Sequence, residues 1–178
     1  VPVGFVHFFS ALAVVSIVIG SLFGLVQSSV KRILAYSSVA NAGYFCLGFA
    51  ALIQNPNNII AKQALFAYAV IYTILSIGAF NVVAYFEDHN REDLLREELA
   101  GLGAAKPAAA IALSVFMFGL AGIPPLAGFF GKFLLLLSVV GTNLTWLAIV
   151  LIVFSAFSLY YYLNILVDIW FKPSSRYS

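Results

Sequence analysis

Two stretches of this sequence set proton-handling side chains inside apolar runs. The first, LAGIPPLAGFFGKF at residues 120–133, places Gly122, Pro124, Pro125 and Gly128 ahead of a single lysine, Lys132. Each proline lacks the amide proton and crowds the carbonyl four residues back, so a helix cannot run through the pair unchanged. The two glycines lower the cost of non-helical dihedrals on either side. In a bilayer the carbonyls released this way need protein or water as donors, because lipid has none. A helix broken here therefore implies a polar, hydrated spot near mid-membrane, which is how transporters build ion sites. Lys132 follows the break, with FLLLLSVV, about 12 Å of helix, between it and the next polar loop. Two placements are open to it. Its stem can snorkel to an interface, or its amine can stay buried, where charge is costly and marks an ion path. A lysine so placed loads and releases a proton, which an arginine does not.

The second stretch is VKRILAYSSVANAGY at residues 30–44. Lys31 and Arg32 head it, and Ser37, Ser38, Asn41 and Tyr44 follow at helical spacings of three and four, forming one polar stripe on an apolar span. Such a stripe is either interhelical hydrogen-bond glue or the lining of a hydrated proton path.

The elements that must position these residues are transmembrane helices. Of 178 residues, 63% are hydrophobic and 9% charged, whereas a soluble domain carries roughly 25% charged residues. The chain is expected to be an all-α polytopic bundle forming a single domain. Five apolar segments run over 5–26, 33–53, 64–86, 108–140 and 144–171. A crossing needs about 20 residues, so the first three cross once each and the fifth crosses with some tilt. The fourth, about 50 Å as a straight helix against roughly 30 Å of hydrocarbon, is expected to be discontinuous near 122–128. Alternating the segments puts Lys31, Arg32, Arg91, Arg96, Lys106, Lys172 and Arg176 on one side and Lys62 on the other. Under the positive-inside rule the first side is cytoplasmic.

The charged connection over 87–106 carries Leu94, Leu95, Leu99 and Leu102, whose spacing predicts a short amphipathic helix with a solvated or subunit-docking charged face. Pro107 is placed to start the fourth span. Asp168 can pair with Lys172 at i+4. Tyr160, Tyr161, Tyr162, Trp170 and Phe171 read as packing and interfacial anchors, and His7 reads as interfacial. Tyr72, Ser76 and Asn81 are further polar residues of the third span. The single cysteine, Cys46, allows no internal disulfide, and no metal-ligand spacing, phosphate loop or activated nucleophile is visible. The net charge of +2 points to no nucleic-acid partner. VPVGFVHFFSA lacks a basic region ahead of its apolar run, so it reads as a start between helices of a longer chain, not as a signal peptide.

The two polar stretches, with DLLREELAGLGAAKPAAA and SAFSLYYYLNIL, resemble the antiporter-like membrane subunits of proton-pumping NADH–quinone oxidoreductase, respiratory complex I. The likeness is strongest to the N-type subunit, called subunit 2 in mitochondria, and covers essentially the whole chain. The same superfamily includes membrane subunits of Mrp-type cation/proton antiporters and of membrane-bound hydrogenases. The resemblance implies a portion of a fourteen-helix, inverted-repeat fold, matching about its ninth to thirteenth helices, with the fourth span as the broken twelfth. It implies proton translocation by Lys132, with Lys31 matching a lysine that opens the tenth helix toward the hydrated path. Family members often carry histidine in the pattern SS-x-x-H-x-GY where this chain has Asn41, which orients water but does not titrate. NADH, FMN, iron–sulfur clusters and quinone would belong to the complex, with no cofactor on this chain. The implied partners are the other membrane and peripheral subunits and the lipid bilayer, in a bacterial inner membrane. A gradient-driven Mrp-type cation/proton antiporter or a membrane-bound hydrogenase subunit, and a non-conducting membrane scaffold, are the alternative readings.

Overall fold

The computed structural model of the chain describes residues 3–87 and 94–173. Its elements are α1 (Val3–Leu25), α2 (Val30–Gln54), α3 (Ile59–Phe86), a 3-10 turn (Arg96–Leu99), α4 (Leu102–Ala105), α5 (Pro107–Ala121), α6 (Ala127–Val139) and α7 (Thr145–Phe171). Helices α1, α2, α3 and α7 are each long and apolar enough to cross a membrane. Helices α5 and α6 are shorter apolar pieces on either side of residues 122–126, so the fourth span is broken where the two prolines stand. Pro107 opens α5 at a first-turn position, as expected.

The start of α3 differs most from the sequence expectation, and α2 likewise starts early, at Val30, ahead of the apolar run at 33. Helix α3 starts at Ile59, five residues before the apolar run at 64, because Asn58 caps it. The Asn58 side chain accepts from Ala61 N at 2.9 Å and also donates to Ser138 O at 3.0 Å. Capping therefore starts the helix ahead of the polar pair Lys62 and Gln63, and the same residue ties the start of α3 to the end of α6.

Helices α1 and α2 form an antiparallel hairpin whose backbones approach closely. A Cβ on Gly20 would lie 2.4 Å from Ala40 N, and one on Gly43 would lie 2.8 Å from Ala13 O. Small residues at both crossings let dispersion act between helices that share no hydrophobic driving force in lipid. Helix α3 covers α5 and α6, while α7 packs against α1 and α5. Two buried apolar clusters result, one around Ile33, Leu113, Met117 and Ile165, the other around Ile17, Leu47, Leu135 and Leu147. Leu120 and Tyr162 belong to the first and Tyr44 and Tyr68 to the second, so the polar residues lie along the seam between them. Phe8, Ile74 and Ile149 are among the large apolar side chains facing outward, as a lipid-facing surface requires.

Residues 94–106 of the connection after α3 do not form the single amphipathic helix that the leucine spacing predicts. Residues 94–95 are extended and bridge the α1–α2 loop, with Val30 N donating to Leu94 O at 3.0 Å and Arg96 N to Ser28 O at 2.8 Å. A four-residue 3-10 turn and then the four-residue helix α4 follow, separated by Gly101 at φ 76°. Leu94, Leu99 and Leu102 are buried, but Leu95 faces out, because an extended pair points its side chains to opposite sides. The part of this connection at 88–93, with Arg91, and the tail with Arg176 lie outside the described residues.

The same end of the bundle is clamped by charge. Asp168 on α7 is buried and forms ion pairs with Arg96, Nε to Oδ2 at 2.5 Å, and with Lys172, Nζ to Oδ1 at 2.6 Å. The i+4 pair with Lys172 is the expected one; Arg96 is an addition from the connection. Lys31 pairs with Glu87 at 2.5 Å, and Lys106 lies over the rings of Tyr85 and Phe86. Lys31, Arg96, Lys106 and Lys172 thus share one end, while Lys62 lies at the opposite end. Asp168→Asn should loosen the clamp and lower stability by about 2 kcal/mol, since a buried carboxylate holding two cations is lost while Arg96 stays partly exposed. Faster tryptic cleavage after Arg96 in the membrane-embedded protein, with the helices otherwise protected, is the expected readout.

Candidate functional site at the helix break

The geometry at the break follows from hydrogen-bond supply. In a continuous helix the carbonyl of residue i accepts from the N–H of residue i+4. The donors due to Leu120 O and Ala121 O are residues 124 and 125, and both are prolines without an N–H. Upstream, the chain closes α5 with Gly122 at φ 79°, a left-handed conformation that glycine tolerates. Gly122 N donates to Gly119 O at 3.1 Å and Ile123 N to Phe118 O at 3.4 Å. That leaves Leu120 O and Ala121 O. Lys132 on α6 turns back to them, its Nζ donating to Leu120 O at 3.0 Å and to Ala121 O at 3.2 Å.

Lys132 is 7% exposed, so its stem does not snorkel to an interface. The Tyr44 ring lies with its centroid 5.5 Å from Nζ, within cation–π range. The C-terminal end of α5 presents its negative dipole end to the same amine. Gly128 allows the two half-helices to meet, for a Cβ there would fall 1.7 Å from Gly119 O. A Cβ on Gly122 would fall 3.0 Å from Lys132 Cδ. Pro124 and Pro125, joined by a cis bond, form the turn between these contacts.

The polar stripe on α2 meets the lysine through a small cavity of about 10 Å³ lined by Asn41, Tyr68, Tyr72, Gly128 and Lys132 among others. That is room for about one water molecule. Tyr68 donates to Asn41 Oδ1, while Asn41 Nδ2 donates to Ser37 O at 2.7 Å and Ser37 Oγ at 3.1 Å. Ser37 Oγ also bonds the Tyr162 hydroxyl, and Tyr72 donates to Ser38 Oγ at 2.8 Å. Ser37, Ser38, Asn41, Tyr44 and Lys132 are therefore brought together, in one tract crossing α2, α3, α6 and α7.

Sequence reading missed Tyr68 and Tyr162 as members of this tract, and placed the run 160–162 wholly among packing residues. In the structure Tyr160 is 60% exposed whereas Tyr161 and Tyr162 are buried, so one aromatic run serves both purposes. The available signal was the pair Tyr68 and Tyr72, four apart on the third span. Asn81 is exposed and stands apart. Tyr68→Phe would leave Asn41 Oδ1 buried with no donor, at about 1–3 kcal/mol. A lowered thermal midpoint of the intact assembly, larger than that of an exposed control such as Tyr85→Phe, is the expected measurement.

Lys31 is not brought to Lys132. It sits in the first turn of α2, 40% exposed, paired with Glu87. His7 lies at the far end, beside a cavity of about 400 Å³ shared with Ser10, Gln54, Asn143 and Trp146. Among the described residues no group of three or more His, Cys, Asp or Glu side chains is placed to hold a metal ion.

A polytopic bundle with one span broken at a proline pair, and a buried lysine folded back on the break, defines a discontinuous-helix membrane protein. Residues 3–158 match the family described as NADH:quinone oxidoreductase/Mrp antiporter, TM, and the chain belongs to that family. It is a multi-pass integral membrane protein. It is 41% identical over 165 residues to NADH-quinone oxidoreductase subunit N of Trichlorobacter lovleyi, covering 93% of this chain and 33% of that protein. Among solved structures it is similar to a chain of respiratory complex I from Thermus thermophilus, at 33% identity and a TM-score of 0.81 over 95% of this chain and 37% of that one. It is also similar to a chain of the Mrp complex from a Dietzia species, at 26% identity and a TM-score of 0.84 over 96% of this chain and 31% of that one. The chain thus spans about a third of the length of the relatives it matches.

Proposed function

We propose that this chain translocates protons as part of an N-type membrane subunit of an NADH–quinone oxidoreductase, in a bacterial inner membrane, with Lys132 as the proton carrier. The observation that carries the reading is the Lys132 amine, buried and bonded to the two carbonyls that Pro124 and Pro125 leave without donors. A neutral amine has two N–H bonds and an ammonium has three. Two can remain on Leu120 O and Ala121 O in either state, so the third proton is the one exchanged with a water in the cavity beside Asn41, Tyr68 and Tyr72. Asn41, Tyr68 and Tyr72 orient that water, and Ser37 and Tyr162 extend the tract toward the end of the bundle bearing Lys31, which is the cytoplasmic end on this reading. Electron transfer from NADH through FMN and iron–sulfur clusters to quinone takes place in other subunits, and this chain supplies no redox group. Its partners are those membrane and peripheral subunits and the surrounding lipid.

The second reading is a subunit of an Mrp-type cation/proton antiporter, favoured by the likeness to the Dietzia complex. Affinity purification of the full-length protein from its native membrane separates the two. Flavin absorbance, iron–sulfur signals and NADH oxidation are expected in the purified material. A complex free of flavin and iron that exchanges Na⁺ for H⁺ would overturn the first reading.

A further inference from the structure

Unwound carbonyls at the end of a half-helix are cation ligands in transporters, and here two of them carry no backbone donor. We infer that Leu120 O and Ala121 O, with the oxygens around the adjoining cavity, form a monovalent-cation site that the chain fills with its own tethered ammonium. This inference rests on the proton-carrier reading for its functional consequence, which is selectivity for H⁺ over metal cations.

Four observations support the site. Nζ of Lys132 occupies the position a free cation would take, at 3.0 and 3.2 Å from the two carbonyls. The C-terminal end of α5 adds its negative dipole end. The Tyr44 ring adds a π face 5.5 Å away. The cavity lining adds neutral oxygens, Asn41 Oδ1 among them, and no carboxylate, since its other members are Ile, Leu, Tyr and Gly. A cation is thus favoured there, yet a diffusing Na⁺ cannot enter while the amine holds both carbonyls. Deprotonation does not vacate the site either, because the neutral amine keeps its two N–H bonds on the same oxygens. Only a proton moves; the nitrogen stays. The prolines and the lysine then form one device: the first two create the vacant acceptors and the third fills them.

The consequence is testable by emptying the site. Lys132→Ala removes three methylenes and the ammonium, which is the n-propylammonium ion less one hydrogen. The intact complex carrying Lys132→Ala is reconstituted in vesicles, and the membrane potential driven by NADH oxidation is recorded with nigericin and K⁺ present, so that no pH gradient exists for the permeant amine to collapse. Added n-propylammonium chloride is expected to raise the residual potential saturably toward the wild-type value, whereas tetramethylammonium chloride, which has no N–H donor, gives nothing. Lys132→Met fills the space without charge and is expected to ignore both salts. An assembled Lys132→Ala complex that ignores n-propylammonium, or one that tetramethylammonium serves equally well, overturns the inference.

The wild-type complex tests the same point if Lys132→Ala fails to assemble. With the amine in place, exchanging choline for Na⁺ at constant ionic strength should leave pumping unchanged, and a saturable Na⁺ dependence would overturn the inference. The two proposals fail separately. Full pumping by Lys132→Met removes the proton-carrier reading, while a silent Lys132→Met beside an unresponsive Lys132→Ala removes only the cation site.

Discussion

Lys132→Met is expected to cut sharply the protons moved per NADH oxidised, with NADH oxidation by the assembled complex falling less. A positioned acid–base group contributes roughly 10²- to 10⁴-fold to the proton transfer it serves, so its loss should silence the share of pumping that passes through this chain. Methionine is close to lysine in length and leaves the apolar contacts of the stem with little change. What it removes is the titratable amine and the two donors to Leu120 O and Ala121 O. Lys132→Arg separates these losses. A guanidinium can still donate to both carbonyls but does not release its proton under physiological conditions. Arginine is therefore expected to restore stability without restoring pumping. Proton-to-electron ratios in reconstituted vesicles, read beside the thermal midpoint of each variant, provide the check. If Lys132→Met pumps fully, the lysine has no carrier role and the site is a structural plug.

Gly128→Ala is expected to have the largest effect on stability. The added methyl carbon would lie 1.7 Å from the Gly119 carbonyl oxygen, an atom of α5 backbone that no side-chain rotation can move. Relief requires α5 and α6 to separate by more than an ångström, which would pull Lys132 from the carbonyls and open the cavity against Tyr68 and Tyr72. Overpacking ordinarily costs about 1–3 kcal/mol where flexible side chains can yield; against backbone the cost should exceed about 3 kcal/mol, in the range where assembly fails. The expected result is a strong fall in the amount of subunit recovered in the complex, measured by immunoblot of purified membranes. Gly4→Ala is the control, since a Cβ there meets nothing within 4 Å. Equal recovery of the two variants would mean that α5 and α6 do not cross at Gly128.

The break itself was legible because two prolines in a 33-residue apolar run leave few options: backbone donors are missing, and lipid supplies none. The partner of the released carbonyls was in principle countable too. Leu120 and Ala121 stand four residues before Pro124 and Pro125, and only one long donor follows nearby. Which way that lysine turns was not countable, because a snorkelling stem and a folded-back stem fit the same spacing. The membership of Tyr68 and Tyr162 was hidden for a different reason. Their hydroxyls look identical to that of Tyr160 in sequence, and only the rotation of α3 and α7 about their axes aims them at Asn41 and Ser37. The extended bridge at Leu95 was hidden likewise, since the hydrogen bonds flanking it run to Ser28 in the α1–α2 loop and to Val30 at the start of α2.

By itself, then, the sequence determined that the chain lives in lipid, where one apolar span is broken and which charged residue stands near the break. Those properties follow from transfer free energies and from the donors each residue type has or lacks, and both are local. Only the tertiary structure decided that the lysine faces the break, that Lys31 is engaged with Glu87 at the surface, and that three tyrosines from two other helices join the α2 stripe. Those outcomes depend on helix rotation and on close backbone crossings at small residues, which are set by packing among segments far apart in the chain.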